Sequence, residues 1–262
     1  MIVYLLIGAA AGLLSGLFGI GGGVIVVPAL SYVFLHDGTH TAFDAMHAAV
    51  ATSLAVMIMT SLSALYAHQR ARSVRWVMIS PMLPGLVVSS LIGAAIAHYL
   101  PSSILRIFFG IFLIYIGWPL IFGQTTLLEP KTISVKVLRI ISLCVGALSG
   151  VLGVGGGALL APIFLRAGLN MHETAGTSVV CGLTIGLTTT LGFLFLQWFG
   201  RLQFQAGSSY IDFSAFTSVA VASVLLAPFG AKLARRLPRI MARRIFGFFL
   251  LCMALDMLLT AR

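Results

Sequence analysis

Residues 11–28, AGLLSGLFGIGGGVIVVP, recur without a gap as residues 145–162, VGALSGVLGVGGGALLAP. Nine of these 18 positions are identical: Gly12/Gly146, Leu14/Leu148, Ser15/Ser149, Gly16/Gly150, Gly19/Gly153, the three glycines Gly21, Gly22 and Gly23 on Gly155, Gly156 and Gly157, and Pro28/Pro162. Chance does not produce that match, even in apolar sequence. After a loop that is nine residues longer in the first copy, the match continues as Met46-His47 on Met171-His172 and Thr52-Ser53 on Thr177-Ser178. Further on, Gly93-Ala94 matches Gly230-Ala231, Leu100-Pro101 matches Leu237-Pro238, and Phe109-Gly110 matches Phe246-Gly247. The chain is a duplicated unit of about 130 residues. Its two copies are residues 1–128 and 140–262, joined by a basic linker, 129–139.

The composition around these motifs excludes a water-soluble protein. Of 262 residues, 8% are charged and 60% hydrophobic, against roughly 25% charged in soluble domains, and the mean hydropathy is +1.09. Long apolar runs with short loops predict a helical membrane bundle, because outer-membrane barrels are built from short alternating strands. The net charge of +10 could suggest nucleic acid in a soluble protein. Here Lys and Arg sit between spans, where they set orientation and meet anionic lipid headgroups, so a nucleic-acid partner is not expected. Cys144, Cys181 and Cys252 lie in apolar stretches without metal-ligand spacing and read as small buried hydrophobes. The amino terminus lacks a basic n-region and runs straight into the glycine motif, unlike a cleaved signal peptide.

Each copy reads as a glycine-broken apolar segment followed by three spans. The segments are 2–35, 45–67, 76–99 and 104–122, then 140–165, 173–196, 212–234 and 245–260. The arm from Val24 to Leu35 would be about 18 Å long as a helix, short of the ~30 Å hydrocarbon core, which predicts a re-entrant hairpin. The basic residues test that expectation, since cytoplasmic loops carry the excess of Lys and Arg. If each broken segment returns to its own side, Arg70, Arg72 and Arg75, the linker's Lys131, Lys136 and Arg139, Arg166, and the last cluster all become cytoplasmic. That last cluster is Lys232, Arg235, Arg236, Arg239, Arg243 and Arg244. Thirteen of the 16 basic residues are then inside, leaving Arg106, Arg201 and Arg262 outside. The predicted fold is therefore an all-α polytopic membrane protein of two inverted repeats, with both termini outside. Two short crossings per broken segment would give the same sidedness and ten spans.

Inverted repeats with interrupted helices are the architecture of secondary transporters, whose substrate sits near the midplane where the breaks meet. Glycine runs leave backbone N–H groups approachable. Successive N–H groups at a helix start form an anion-binding concavity, reinforced by the helix dipole. Gly21, Gly22, Gly23, Gly155, Gly156 and Gly157 are thus candidate substrate contacts, whereas Gly12, Gly16, Gly146 and Gly150, spaced four apart, read as helix-packing residues. A dinucleotide-binding reading fails for want of the third glycine and a strand context, and a P-loop for want of the following Lys.

Thr52, Ser53, Thr177 and Ser178 occupy matched places in the spans after the breaks, which predicts a shared polar cavity. Single hydroxyls in a span more often bond a carbonyl one turn back. His47 and His172, also matched and near the membrane entrance, are candidates for coupling or gating, although an interfacial histidine is the commoner outcome. Glu173, three residues after Asn170, most simply completes a helix-start capping box, and is otherwise a gating candidate. Asp256 stands alone in the last span, where a carboxylate is costly.

The doubled G-x-x-G-x-G-G-G-x-x-x-x-P element, Gly16 to Pro28 and Gly150 to Pro162, each followed by a Thr-Ser pair, resembles the TauE/SafE sulfite-exporter family over nearly the whole chain. The resemblance implies a multi-pass protein of the bacterial inner membrane that moves sulfite, sulfonates or other small organic anions. It implies that the glycines and Thr/Ser pairs named above line the route. No cofactor or metal is expected, and the partners would be a small anion, a coupling proton or sodium ion, and membrane lipid. An anion channel of the same architecture is the nearest alternative. An intramembrane enzyme is poorly supported, since the spans hold no G-x-S-G element, no H-E-x-x-H and no carboxylate pair.

Overall fold

Glycine breaks a helix because its backbone has the most freedom to lose, and in both repeats the first apolar segment divides at its glycine run. The computed structural model describes residues 1–18, 22–36, 44–122, 133–198, 210–234 and 239–260. In the first repeat, α1 (Ile2–Phe18) and α2 (Gly23–His36) flank the run, and in the second α7 (Val135–Leu152) and α8 (Gly157–Arg166) do so. At the second break Gly153 adopts a left-handed φ of 69°, and its N–H caps α7 on the Ser149 carbonyl at 2.9 Å. With 14 and 10 residues, α2 and α8 are about 21 and 15 Å long at 1.5 Å per residue, too short for the hydrocarbon core.

The remaining helices are α3 (Ala45–Arg70), α4 (Trp76–Ile79), α5 (Leu83–Tyr99) and α6 (Ser102–Phe122) in the first repeat. In the second they are α9 (Met171–Trp198), α10 (Phe213–Ala234) and α11 (Arg239–Leu259). Among the described residues, five helices of the chain, α3, α6, α7, α9 and α10, are long and apolar enough to cross a membrane. The expected span 76–99 is divided. Pro81 supplies no N–H and Pro84 fits only the first turn of a new helix, so α4 stops at Ile79 and α5 restarts at Leu83. Helix α7 begins five residues earlier than the apolar run suggests, because Ser134 caps it by accepting from the Val137 N–H.

Elements of one repeat pack on elements of the other. Helix α1 lies on α10 and α7 on α5, α3 pairs with α9, and α6 pairs with α11. Missing side chains permit the closest approaches. A β-carbon on Gly12 would stand 2.5 Å from the Ser223 carbonyl oxygen, and one on Gly93 2.5 Å from that of Ala147. Gly230 is blocked in the same way by Leu13, and Gly146 by Ser89 and Leu86. In the repeat alignment Leu13 corresponds to Ala147 and Gly230 to Gly93, so the two interfaces are copies of one another. Of the four glycines expected to pack helices, Gly12, Gly146 and Gly150 do so, whereas Gly16 borders an interior cavity.

Helix α2 and the first half of α3 form the centre: Val24, Val27, Leu30, Phe34 and every residue from Ala45 to Met57 are buried. The periphery is apolar instead, with Leu6, Phe108, Ile111 and Phe248 exposed. An exposed apolar perimeter around a buried, hydroxyl-bearing interior is the arrangement a lipid solvent requires.

Candidate functional site

The two breaks meet inside the protein. A β-carbon on Gly23 would stand 2.8 Å from the Gly153 carbonyl oxygen, and the Ser53 hydroxyl donates to that same carbonyl at 3.2 Å. Beside this crossing lies a cavity of about 590 Å³, whose deep end is lined by Gly22, Gly23, Ser53, Gly155 and Gly157. Its mouth lies between the end of α3 and the start of α9, at Ala67, His68, Met171 and His172. Between the two ends run Met57, Thr60, Ser61, Ser178 and Gly182. No Asp, Glu, Lys or Arg lines it, so His68 and His172 are its only titratable groups among the described residues.

Helices α2 and α8 both start at this deep end. Their first-turn amides have no partner within their own helix. Ile25 and Val26 donate to the Gly22 carbonyl, and Leu159 and Leu160 to that of Gly156. The four amides ahead of these, on Gly23, Val24, Gly157 and Ala158, carry the positive ends of two helix dipoles.

The residues singled out from the sequence take different places. Gly22, Gly23, Gly155 and Gly157 line the cavity, whereas a β-carbon on Gly156 would face Ile185, Leu160 and Val145 in a packed core. Gly21 lies outside the described residues. Ser53 and Ser178 line the cavity, but not at one level. Counting 1.5 Å per residue, Ser178 is about 9 Å along α9 from His172, and Ser53 is about 22 Å along α3 from His68. The two hydroxyls follow one another along a route. They also differ chemically, since the Ser53 proton is engaged by Gly153 while the buried Ser178 Oγ has no hydrogen-bond partner.

Thr52 and Thr177 do not line the cavity. Thr52 Oγ1 accepts from the Asp212 N–H at 3.1 Å and Thr177 Oγ1 from the Arg75 N–H at 3.2 Å. Each threonine fixes the chain just before a helix of the other repeat, α10 in one case and α4 in the other. His47 is buried rather than interfacial. Its Nε2 carries a proton, because it donates to two carbonyls, Ala97 and Leu100, at 3.0 Å each, while Nδ1 faces the Ser102 hydroxyl at 3.2 Å. His47 thus satisfies the last carbonyls of α5, which no helix can pair for itself.

His172 is exposed at the mouth, with its ring 6.5 Å from that of His68 and nearly perpendicular to it. Glu173 forms the expected capping box with Asn170: its carboxylate accepts from the Asn170 N–H at 3.1 Å, and its own N–H donates to Asn170 Oδ1 at 2.9 Å. The same carboxylate is ion-paired with Arg75. Asp256 has a counter-charge, the Arg106 guanidinium of α6, which itself donates to the Thr260 carbonyl at 3.0 Å.

Sequence reasoning missed His68, Thr60 and Ser61. A signal was present: Ser53, Thr60, Ser61, Ala64 and His68 recur at helical spacing along α3, a stripe of small and polar residues inside an apolar span.

Comparison with known proteins agrees with this architecture. The sequence model of the TauE/SafE sulfite exporters matches residues 4–257. The chain is 26% identical to a probable membrane transporter protein of Haemophilus influenzae, over 99% of its own length and 98% of that protein's. A probable membrane transporter protein of Methanocaldococcus jannaschii is 31% identical over 67% of this chain and 65% of its own. One from Bacillus subtilis is 30% identical over 63% of this chain and 67% of its own. No solved structure matches. The glycine-broken repeats, the apolar perimeter and the interior cavity are thus those of a membrane transporter, and the chain belongs to the TauE/SafE sulfite exporter family.

Proposed function

We propose that the protein is a secondary transporter of small sulfur-containing or organic anions, such as sulfite or a sulfonate, and that it exports them across the bacterial inner membrane. The observation that carries this reading is the deep end of the cavity. Two helix N-termini, on Gly23 and Gly157, converge there beside Ser53, and the whole lining lacks a carboxylate. Such a surface holds an oxyanion through backbone dipoles without a resident cation. Ser178, whose buried hydroxyl has no partner, is nearer the mouth than Ser53.

The two repeats, 1–128 and 140–262, are read as inverted, because that arrangement places the basic loops on one side. The cavity mouth beside Arg70, Arg72 and Arg75 is then cytoplasmic, and the cavity faces inward. Helices α2 and α8 return to their own sides as re-entrant arms. His172, Glu173 and Arg75 stand at the inner mouth, where a change in their pairing would alter access. A proton or sodium ion is the proposed coupling partner.

Gly22→Ala is the decisive variant. A β-carbon there would meet nothing closer than 3.9 Å, from Ala11 and Val26, so the fold accommodates it while a methyl group enters the cavity beside the α2 amides. Sulfite or sulfonate flux in proteoliposomes is expected to fall at least ~10-fold, with an unchanged detergent melting temperature, since displacing one charge-assisted hydrogen bond costs about 1.5–3 kcal/mol. Undiminished flux would move the anion site away from the glycine breaks.

A further inference from the structure

Homologous repeats do not have to be in identical states, and here the two ends of the α3/α9 pair differ. Matching Thr52-Ser53 to Thr177-Ser178 carries His68 onto Phe193 and Ala64 onto Thr189. Matching Gly93 to Gly230 carries Ser73 onto Tyr210 and Arg75 onto Asp212. The second alignment is confirmed by the mirrored bonds of Thr177 to the Arg75 N–H and Thr52 to the Asp212 N–H. At one end His68 lines the open cavity, with its Nδ1 2.8 Å from the Ser73 hydroxyl. At the other end the corresponding pair, Phe193 and Tyr210, is fully buried, with ring centroids 5.2 Å apart.

Tyr210 is hydrogen-bonded to His98 Nδ1 from α5. Burial, and then the charge of Asp44, push its phenol above the ordinary range, so it remains a hydroxyl there. His47, in the first turn of α3, and its neighbour Ser102 stand at this end as well. Three of the buried polar atoms there have no partner: His98 Nε2, and Thr189 Oγ1 and Thr190 Oγ1, which sit one turn before Phe193 on α9. Burying an unpaired polar group costs free energy in the state that buries it. A state that wets these atoms would recover that cost. Of these, Thr189 lies where the repeat alignment puts the counterpart of the open cavity, since it stands for the cavity-lining Ala64, as Phe193 stands for His68.

We propose that Tyr210, Phe193 and His98 form the outer gate of the transport route, and that they close over a second anion vestibule lined by Thr189, Thr190 and His98. In this structure the inner vestibule is open and the outer one is collapsed. When the gate opens, the Tyr210–His98 bond breaks, the aromatic pair separates, and the orphaned hydroxyls and His98 Nε2 face water and the anion. Carrier behaviour follows, because one vestibule forms as the other is lost. The proposal rests on the transporter reading above, but its test does not use the anion. It therefore fails independently of the Gly22→Ala experiment.

Single cysteines at Thr189 and, as an inner reference, at Thr60 would be introduced into protein whose Cys144, Cys181 and Cys252 have been replaced by Ala. A membrane-impermeant thiol reagent is then applied to each face of sealed vesicles. Thr189→Cys is expected to label from the face opposite to the one that labels Thr60→Cys. Adding Tyr210→Phe, which keeps the ring but breaks the bond to His98, should speed that labelling about 10-fold and leave labelling at Thr60→Cys nearly unchanged, since one hydrogen bond biases the two states by about that factor and the inward state remains the major one. A bifunctional thiol reagent joining Phe193→Cys to Tyr210→Cys should abolish the outer labelling and leave the inner labelling intact. The proposal is overturned if Thr189→Cys stays unlabelled with Tyr210→Phe and Phe193→Ala alike while Thr60→Cys reacts normally. It is equally overturned if both cysteines label from one face at comparable rates, which would be a continuous pore.

Discussion

At the scale of single residues, a motif's position in sequence and its direction in space are different things. The triple glycines are legible as a break, and four of the five described ones line the cavity, yet Gly156 faces Ile185 and Leu160. No periodicity reports that, because residues in a break have no helical phase. The matched Thr-Ser pairs show the complementary effect. Within a helix, adjacent residues point about 100° apart, so one member of each pair faces the cavity while the other turns to the opposite repeat. Sequence pattern alone makes both members candidates for the lining. The two serines also separate functionally. Ser178→Ala removes a hydroxyl that makes no bond here, so thermal stability should be unchanged while the apparent transport constant rises about 10-fold through loss of a hydrogen bond to the anion. Ser53→Ala removes the bond to the Gly153 carbonyl and should cost about 1 kcal/mol of stability. Detergent melting curves and concentration-dependent uptake, measured on both variants, check the contrast; equal loss of stability would contradict it.

At the scale of elements, most helices were legible because apolar length and glycine or proline punctuation suffice to mark a span. The division of residues 76–99 was not, since Pro81 and Pro84 sit near the start, where prolines also occur in unbroken helices. Pairing was not legible either. Nothing in α1 says that its partner is α10, more than two hundred residues away, rather than α2. The glycines that permit this contact give it a test. Gly12→Ala puts a methyl group 2.5 Å from the Ser223 carbonyl, and backbone cannot give way as a side chain end can. The cost is about 1–3 kcal/mol, as for other overpacked interfaces. The melting temperature in detergent should fall by several degrees. Gly230→Ala, against Leu13 of the same interface, should behave alike, and a normal melting temperature in both would show that α1 and α10 are not held this way.

At the scale of the whole molecule, the basic residues carry a prediction that the fold alone does not: the end bearing the cavity mouth faces the cytoplasm. A cysteine at exposed Ala71, beside that mouth, should be protected from an impermeant reagent outside whole cells, whereas one at Ile2, 76% exposed, should react. Labelling at Ala71 in intact cells would reverse the assigned orientation. The mutual packing of the repeats, α1 on α10 and α7 on α5, has a consequence for how the protein is made. A ribosome delivers α1 before α10, and the glycine face of α1 has no mate until the second repeat is made. Until then the nascent chain presents lipid with a backbone-exposing surface meant for another helix. Assembly therefore waits on the second repeat, and two half-made units clasp one another instead of one being finished before the next begins.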